Sequence, residues 1–247
     1  MNSAVLYESC DRIATITINR PKQLNAINEE VELGLADAWR RFNASEDRVA
    51  ILTGSGNKAF SVGKDLSYDV TPDYRRFTPG FDIKVEKPIV AALGGWCVGG
   101  ALTLVQMCDL CVASENTVFK YPEAQLGFAG GMIVGMASRI PHKVAMEIML
   151  LGEEFSAQRA YEVGFVNKVV PQGEHLAAAR QYAERLANNA PMVLSMLKGL
   201  SRECVGRSPM EQASHTLHEV ERVMASSDRI EGMQSFMEKR PARFEGK

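Results

Sequence analysis

The chain has 247 residues, enough to bury one large α/β core or two small ones. Hydrophobic residues make up 46% and charged residues 23%, with a formal net charge of −2; this argues against a disordered chain and offers no basic surface for nucleic acid. Five scattered cysteines argue against a secreted disulfide framework, and the start MNSAVLYESCDR lacks a basic region followed by an apolar run, so the expectation is a cytoplasmic protein with reduced thiols.

RIATITINRP alternates Ile13, Thr15 and Thr17 against Ala14, Ile16 and Ile18, which predicts a strand ended by Pro21. The period then changes. From Asn28, an expected N-cap, Val31, Leu35, Ala38, Trp39 and Phe42 recur at helical spacing, while Glu29, Glu30 and Glu32 suit the first turn of a helix. RVAILTGSG reads as a short buried strand, and the order strand, helix, strand argues for an α/β layered fold. Gly54, Gly56 and Ala59 form a G-x-G-x-x-A, a weak dinucleotide fingerprint because FSVGKD follows instead of a long helix. Residues 66–84 are polar, aromatic and Pro/Gly-containing, with no clean period; short helix mixed with loop is expected.

VEKPIVAALGGWCVGGALTLVQMCDLCVAS carries no charge between Lys87 and Asp109, a length that invites comparison with a membrane span. Glycines at 94, 95, 99 and 100 make one continuous helix costly, about 1 kcal/mol per glycine relative to alanine. The segment instead predicts a buried strand over Ile89 to Leu93, a glycine turn, and a helix from near Gly99 through Met107, with no membrane association. Glycines at a strand-to-helix junction let backbone approach a ligand, and the first N–H groups of the helix lack intrahelical partners. Close packing alone also explains them. Gly63, in AFSVGKDL, marks a second place where a backbone N–H can point outward, and KYPEAQLG sets Pro122 at an expected first helical position with Glu123 behind it. Cys108 and Cys111 make a C-x-x-C with no second pair; read within one strand, their thiols point to opposite faces, so no metal site is expected.

After Pro141 the pattern predicts a helix to Gly152, a short helix from Ser156, a stop at Gly164 and a final strand. From His175 to Phe236 it is helical, broken near Gly206 to Pro209, which divides the chain near Pro191 into a core, 1–190, and a helical C-terminal part, 191–247. His215 and His218 share a helical face without an evident third ligand, as a solvated helix does.

RPKQLNAI, KAFSVGKDL, KPIVAALGGWCVGGALTLVQMCDLCVAS and FKYPEAQLG, in this order and followed by AMEIMLLGEEFSAQRAYEVGFVNKVV, together resemble the crotonase (enoyl-CoA hydratase/isomerase) family over nearly the whole chain. The resemblance implies an α/β fold built as a spiral of β-β-α units, with a helical C-terminal trimerisation region and a homotrimer or dimer of trimers. It implies an acyl-CoA thioester substrate, with coenzyme A part of that substrate and no separate cofactor, and chemistry of the kind found in fatty acid metabolism. The thioester carbonyl would sit between the backbone N–H groups of Lys64 and Gly100, with Gly63, Asp65 and Gly99 shaping that oxyanion hole. Lys22, Leu24 and Ala26 would lie near the CoA nucleotide, and Lys239, in FMEKRPARF, would reach CoA phosphates, in its own subunit or on a neighbouring one. Trp96, Phe128, Met132 and Tyr68 would line the acyl pocket, or serve as plain core.

The sequence departs from the hydratase pattern at one acid. The family's hydratases pair two glutamates; the first position is Thr103 here and the second is Glu123. A threonine has no useful acid–base capacity near neutral pH, so two-carboxylate hydration lacks a partner. One carboxylate still suffices to move a proton between C2 and C4 and shift a double bond, and enoyl-CoA isomerisation is the leading expectation. A hydratase or lyase-type reaction with a substituted acid, another family reaction such as thioester hydrolysis or decarboxylation, and a non-catalytic acyl-CoA-binding protein remain open. The segment FAGGMIVGMASRIPHK is also shorter than the family's glycine-rich stretch and lacks its Pro and Thr-Gln-Arg signature, so a different acyl pocket is expected.

Overall fold

The structure is a computed structural model that describes residues 3–128, 130–204, 216 and 219–247. Its chain winds through a repeated path in which one strand joins a six-stranded sheet, the next joins a four-stranded sheet, and a helix leads back. The larger sheet holds β1 (Val5–Cys10), β2 (Ile13–Ile18), β3 (Val49–Gly54), β5 (Ile89–Leu93), β7 (Leu110–Ser114) and β10 (Lys168–Val170) in that order. Only the β1–β2 pair is antiparallel. The smaller sheet runs β4 (Ala59–Ser61), β6 (Trp96–Val98), β8 (Val118–Lys120) and β9 (Glu154–Ser156). This is the spiral of β-β-α units.

Alternation along the strands of the larger sheet explains the layers. Ile13, Val49, Ile51, Val90, Ala92 and Val112 face α7 (His175–Ala187), whose contact face is Ala178, Ala179, Ala183 and Ala187. Alanines at that spacing let the helix lie close to the sheet. The alternate residues Ala14, Ile16, Ala50, Leu52, Ala91 and Ala113 face the main core, which α1 (Glu29–Ala44) closes with Val31, Leu35, Trp39 and Phe42. Both faces of β3 and β5 are covered, so these strands read as unbroken apolar runs. Asn28 caps α1 as expected, its side chain accepting from the Val31 N–H at 3.2 Å.

The glycine-rich segment folds in more pieces than its sequence predicts. After β5, Gly95 turns at φ 69°, the strand β6 follows, Gly99 turns at φ 59°, and α3 runs only from Gly100 to Gln106. β4, β6, β8 and β9 have three residues each, too short to show a period, and stand only because they pair with one another. β3 is followed by β4, so the G-x-G-x-x-A opens no helix. Cys108 precedes β7 instead of lying within it, and both Cys108 and Cys111 are buried in the main core; the opposite-face reading does not hold. Among the described residues no cluster of ligating side chains suits a metal. No helix of the described residues is long and apolar enough to cross a membrane.

Further along lie α2 (Tyr74–Phe77), α4 (Glu123–Leu126), a 3-10 turn (Met132–Ser138), α5 (His142–Leu151), α6 (Ala157–Glu162), α8 (Pro191–Cys204) and α9 (Ser227–Glu238). Pro122 stands at the N-cap of α4 rather than at its first helical position, and Ser156 caps α6. The helix break expected near Gly206 to Pro209 and the His215/His218 pair lie outside the described residues.

One side chain ties the 20–26 loop to the sheet. Asn25, fully buried at φ 57°, accepts from the Arg20 N–H at 2.9 Å and donates to the carbonyls of Ser55 at 2.9 Å and Ala59 at 2.8 Å. Asn25→Ala leaves these backbone groups unpaired and places alanine in a left-handed conformation, so chemical denaturation should show a loss of about 2–4 kcal/mol.

Candidate active site

A cleft of about 680 Å³ opens where the 20–26 loop, the turn after β4, the start of α3, α4 and the end of α9 meet. Two glycine turns form its floor. Gly63 has φ 76°, and a Cβ there would stand 2.7 Å from the Val98 carbonyl oxygen and 3.2 Å from the Gly100 nitrogen. The turn that carries Lys64 therefore packs directly on the turn that carries Gly100, an approach only glycine permits.

Hydrogen bonding leaves a donor free on each turn. Ile27 bridges to Lys64 in parallel register: its N–H goes to the Gly63 carbonyl at 2.7 Å, and its own carbonyl accepts from the Asp65 N–H at 2.9 Å. In such a bridge the middle residue directs its own N–H the other way. The Lys64 N–H and the Gly100 N–H, the latter at the first position of α3, take no partner among the described residues, and both residues line the cleft. Paired N–H groups of this kind can accept a carbonyl oxygen and any negative charge that develops on it.

Two carboxyls in the cleft have opposite surroundings. Asp65 accepts from Ser67 Oγ at 2.6 Å, the Ser67 N–H at 3.1 Å and Arg20 Nη1 at 2.8 Å. Burial alone would raise its pKa, but these bonds outweigh it and hold the carboxyl below the usual value. Arg20 also donates to the Ala26 carbonyl at 2.6 Å, so Asp65 fixes the two loops to each other. Glu123, 7% exposed at the first turn of α4, has no such support. Its Oε2 is buried without a partner, and burial pushes its pKa up to about 8. The carboxyl faces the turn at Gly99, where a Cβ would fall 3.0 Å from Oε1.

Of the residues singled out from the sequence, Leu24, Ala26, Lys64, Asp65, Gly99, Gly100, Thr103, Glu123, Phe128 and Met132 line this one cleft, with Gly63 directly behind it. Thr103 lies one turn along α3 from Gly100. Four others are elsewhere. Lys22 is exposed on a 3-10 turn whose neighbour Gln23 lines the cleft instead. Trp96 points outward from β6, because strand alternation puts Cys97 inward. Lys239 is exposed at the left-handed C-cap of α9, and the adjacent Arg240 takes the place at the cleft. Tyr68 lies outside the lining, its hydroxyl donating to Glu29 Oε2 at 2.9 Å.

Sequence reasoning missed Tyr74, which sits in the aperiodic 66–84 segment. Its ring and hydroxyl occupy the space a Cβ on Gly100 would need, and the hydroxyl is buried without a partner. Burial, and secondarily the Glu123 charge, raise its pKa, so the phenol keeps its proton. It also missed Gln106, whose Nε2 donates to the Met132 carbonyl at 2.6 Å and pins the 3-10 turn over the cleft.

Comparisons with known proteins identify the family. A carnitinyl-CoA dehydratase from Salmonella typhi is 35% identical over 254 aligned positions, covering 95% of each chain. The structure of a carnitinyl-CoA dehydratase from Mycobacterium avium 104 matches with a TM-score of 0.90 at 32% identity, covering 100% of both chains. An enoyl-CoA hydratase from Mycobacterium tuberculosis H37Rv matches with a TM-score of 0.77 at 36% identity, also over 100% of both chains. The model of the enoyl-CoA hydratase/isomerase family matches residues 8–247, and with the spiral fold and the paired glycine turns this makes the chain an enzyme of the crotonase, or enoyl-CoA hydratase/isomerase, family.

Proposed function

We propose that this protein moves a proton on an enoyl-CoA thioester, with Glu123 as the one acid–base carboxyl and the Lys64 and Gly100 N–H groups holding the thioester oxygen. The observation that carries this reading is the single unpaired, dry carboxyl of Glu123 beside two unpaired backbone donors, with Thr103 where a second acid would stand. Glu123 takes a proton from C2 of a 3-enoyl thioester, the electron pair passes into a dienolate whose oxygen is held by the two N–H groups, and the same carboxyl returns the proton at C4. The double bond moves and nothing else is gained or lost. Tyr74, a phenol that keeps its proton beside Gly100, adds a neutral donor near the developing charge.

Hydration or dehydration is the second reading, favoured by relatives named dehydratase and hydratase. There Glu123 takes the α-proton of a 3-hydroxyacyl thioester, the C3–O bond breaks, and the same proton leaves with the hydroxyl as water. Both readings use one carboxyl.

Incubation with 3-enoyl-, 2-enoyl- and 3-hydroxyacyl-CoA in deuterated water, followed by mass spectrometry, separates them. Bond migration with deuterium entry marks the isomerase, and gain or loss of one water marks the hydratase. Glu123→Gln should slow either by roughly 10²–10⁴-fold. Binding of every thioester without exchange would overturn the catalytic assignment.

The pH dependence has a definite sign. Glu123 must be ionised to take the proton, so kcat/KM should rise about tenfold per pH unit below the carboxyl pKa of about 8 and level off above it. Because that pKa is raised on folding from 4.5, the group's contribution to stability is fully present below 4.5 and lost as pH rises through about 8. Thermal unfolding of Glu123→Gln should therefore gain on the parent chain as the pH is raised across that window. Tyr74→Phe should lower kcat by on the order of 10²-fold with little change in KM.

A further inference from the structure

Among the described residues three positively charged side chains, Lys64, Lys120 and Arg240, line the cleft, and they are not equivalent. Lys120 Nζ has Glu154 at 3.3 Å, and Arg240 is held by Glu231 and Glu238, each at 2.6 Å. Lys64 has no carboxylate within salt-bridge distance among the described residues. Its Nζ donates only to the Thr71 hydroxyl at 3.2 Å and stands 5.5 Å from the centroid of the Phe128 ring.

That position is on the acyl side of the site. Phe128, a residue read from the sequence as acyl-pocket lining, follows α4 and lines the same cleft as Glu123 and Lys64. A second unneutralised cation backs Lys64. Arg229, near the start of α9, packs against the Gly127 turn; its Nε is buried without a partner, and its side chain forms no ion pair among the described residues. Burial first, and then the Arg229 charge, lower the Lys64 pKa, with the exposed Asp69 opposing them from beyond salt-bridge distance. A partly buried cation without a counter-ion bears part of the cost of desolvation, and an arriving anion offsets it.

We infer that Lys64 plays two parts, its backbone N–H toward the thioester oxygen and its ammonium as the receptor for a carboxylate at the far end of the acyl group, so that the substrates are CoA thioesters of dicarboxylic acids. The inference rests on the acyl-CoA reading of the cleft and sharpens it. The same charge works against an acyl group ending in a quaternary ammonium, because Lys64 faces the cleft with no carboxylate within salt-bridge distance among the described residues. An uncharged acyl end would displace water from the half-buried Lys64 ammonium without replacing it by a counter-charge. A carboxylate gives Lys64 a charge-assisted hydrogen bond in a partly buried site, where such bonds are strongest.

Equilibrium binding by calorimetry tests this with saturated thioesters that cannot react. Succinyl-, glutaryl- and adipyl-CoA are compared with butyryl-, pentanoyl- and hexanoyl-CoA, and with a trimethylammonium-terminated acyl-CoA. At least one dicarboxylic thioester should bind roughly tenfold more tightly than its neutral counterpart, with the trimethylammonium thioester weakest. In Lys64→Met the ratio between the dicarboxylic and neutral thioesters should fall to about one, and Lys64→Glu should reverse the order in favour of the cation. Equal binding of dicarboxylic and neutral thioesters by the parent chain would overturn the inference while leaving the acyl-CoA site intact. So would a preference that survives in Lys64→Met. Failure of every thioester to bind, with free CoA also inert, would overturn the acyl-CoA reading and this inference together. Circular dichroism and the thermal midpoint of each variant verify that it is folded before its ratios are read.

Discussion

The site depends on two backbone turns that touch where neither carries a side chain. Gly63 at φ 76° and Gly99 at φ 59° are left-handed positions, and the Cβ that any other residue would place at 63 would press on Val98 and Gly100. Everything else in the cleft is arranged around that contact. Parallel pairing of the 20–28 segment with the 63–65 turn uses the Gly63 carbonyl and the Asp65 N–H, which leaves the donor of Lys64 over. The short length of β6 delivers Gly99 and Gly100 to the same place from the neighbouring turn of the spiral. A fold that repeats one β-β-α path brings equivalent turns side by side, and here two of them are the floor of the cleft.

Around this floor the protein treats its two cleft carboxyls in opposite ways. Asp65 is surrounded by donors and serves as a fixed anion that locks the loops. Glu123 is equally buried, but its Oε2 has no partner, so burial favours the protonated form and raises its pKa. A structural carboxylate needs hydrogen bonds; a group that must gain and lose a proton near neutrality needs their absence. The Tyr74 hydroxyl and Glu123 Oε2 are both unpartnered polar atoms in the same small volume, which marks where a polar part of a ligand belongs. The loss of an acid at Thr103 is consistent with this arrangement, since a second carboxyl on α3 would face the same dry space and raise the cost of ionising Glu123 further.

The placement of cations follows a similar division. Lys120 and Arg240 are neutralised by glutamates at the rim, where pairs are well solvated and contribute little to stability. Lys64 is carried by the floor itself and is half-buried beside Phe128. A residue whose main chain belongs to the floor of the cleft thus also presents its charged side chain to the cleft, beside Phe128.

Much of this was legible before any coordinates. The alternation in 13–18, the helical spacing from Asn28 to Phe42 and the glycine pairs at 94–95 and 99–100 each report on residues a few positions apart, and local backbone preference is enough to set them. The order of motifs sufficed for the family, and with it the grouping of Lys64, Gly100, Thr103 and Glu123. Tertiary structure alone decided the rest, because the deciding contacts join residues far apart in the chain. The four-stranded sheet is made of three-residue strands that no period reveals; Tyr74 reaches Gly100 from a segment with no pattern at all; Trp96 and Lys239 match the motifs yet are not among the residues lining the cleft. The raised pKa of Glu123 and the lack, among the described residues, of a carboxylate within salt-bridge distance of Lys64 depend on burial and on neighbours, and what a side chain lacks can be seen only when its neighbours are in place.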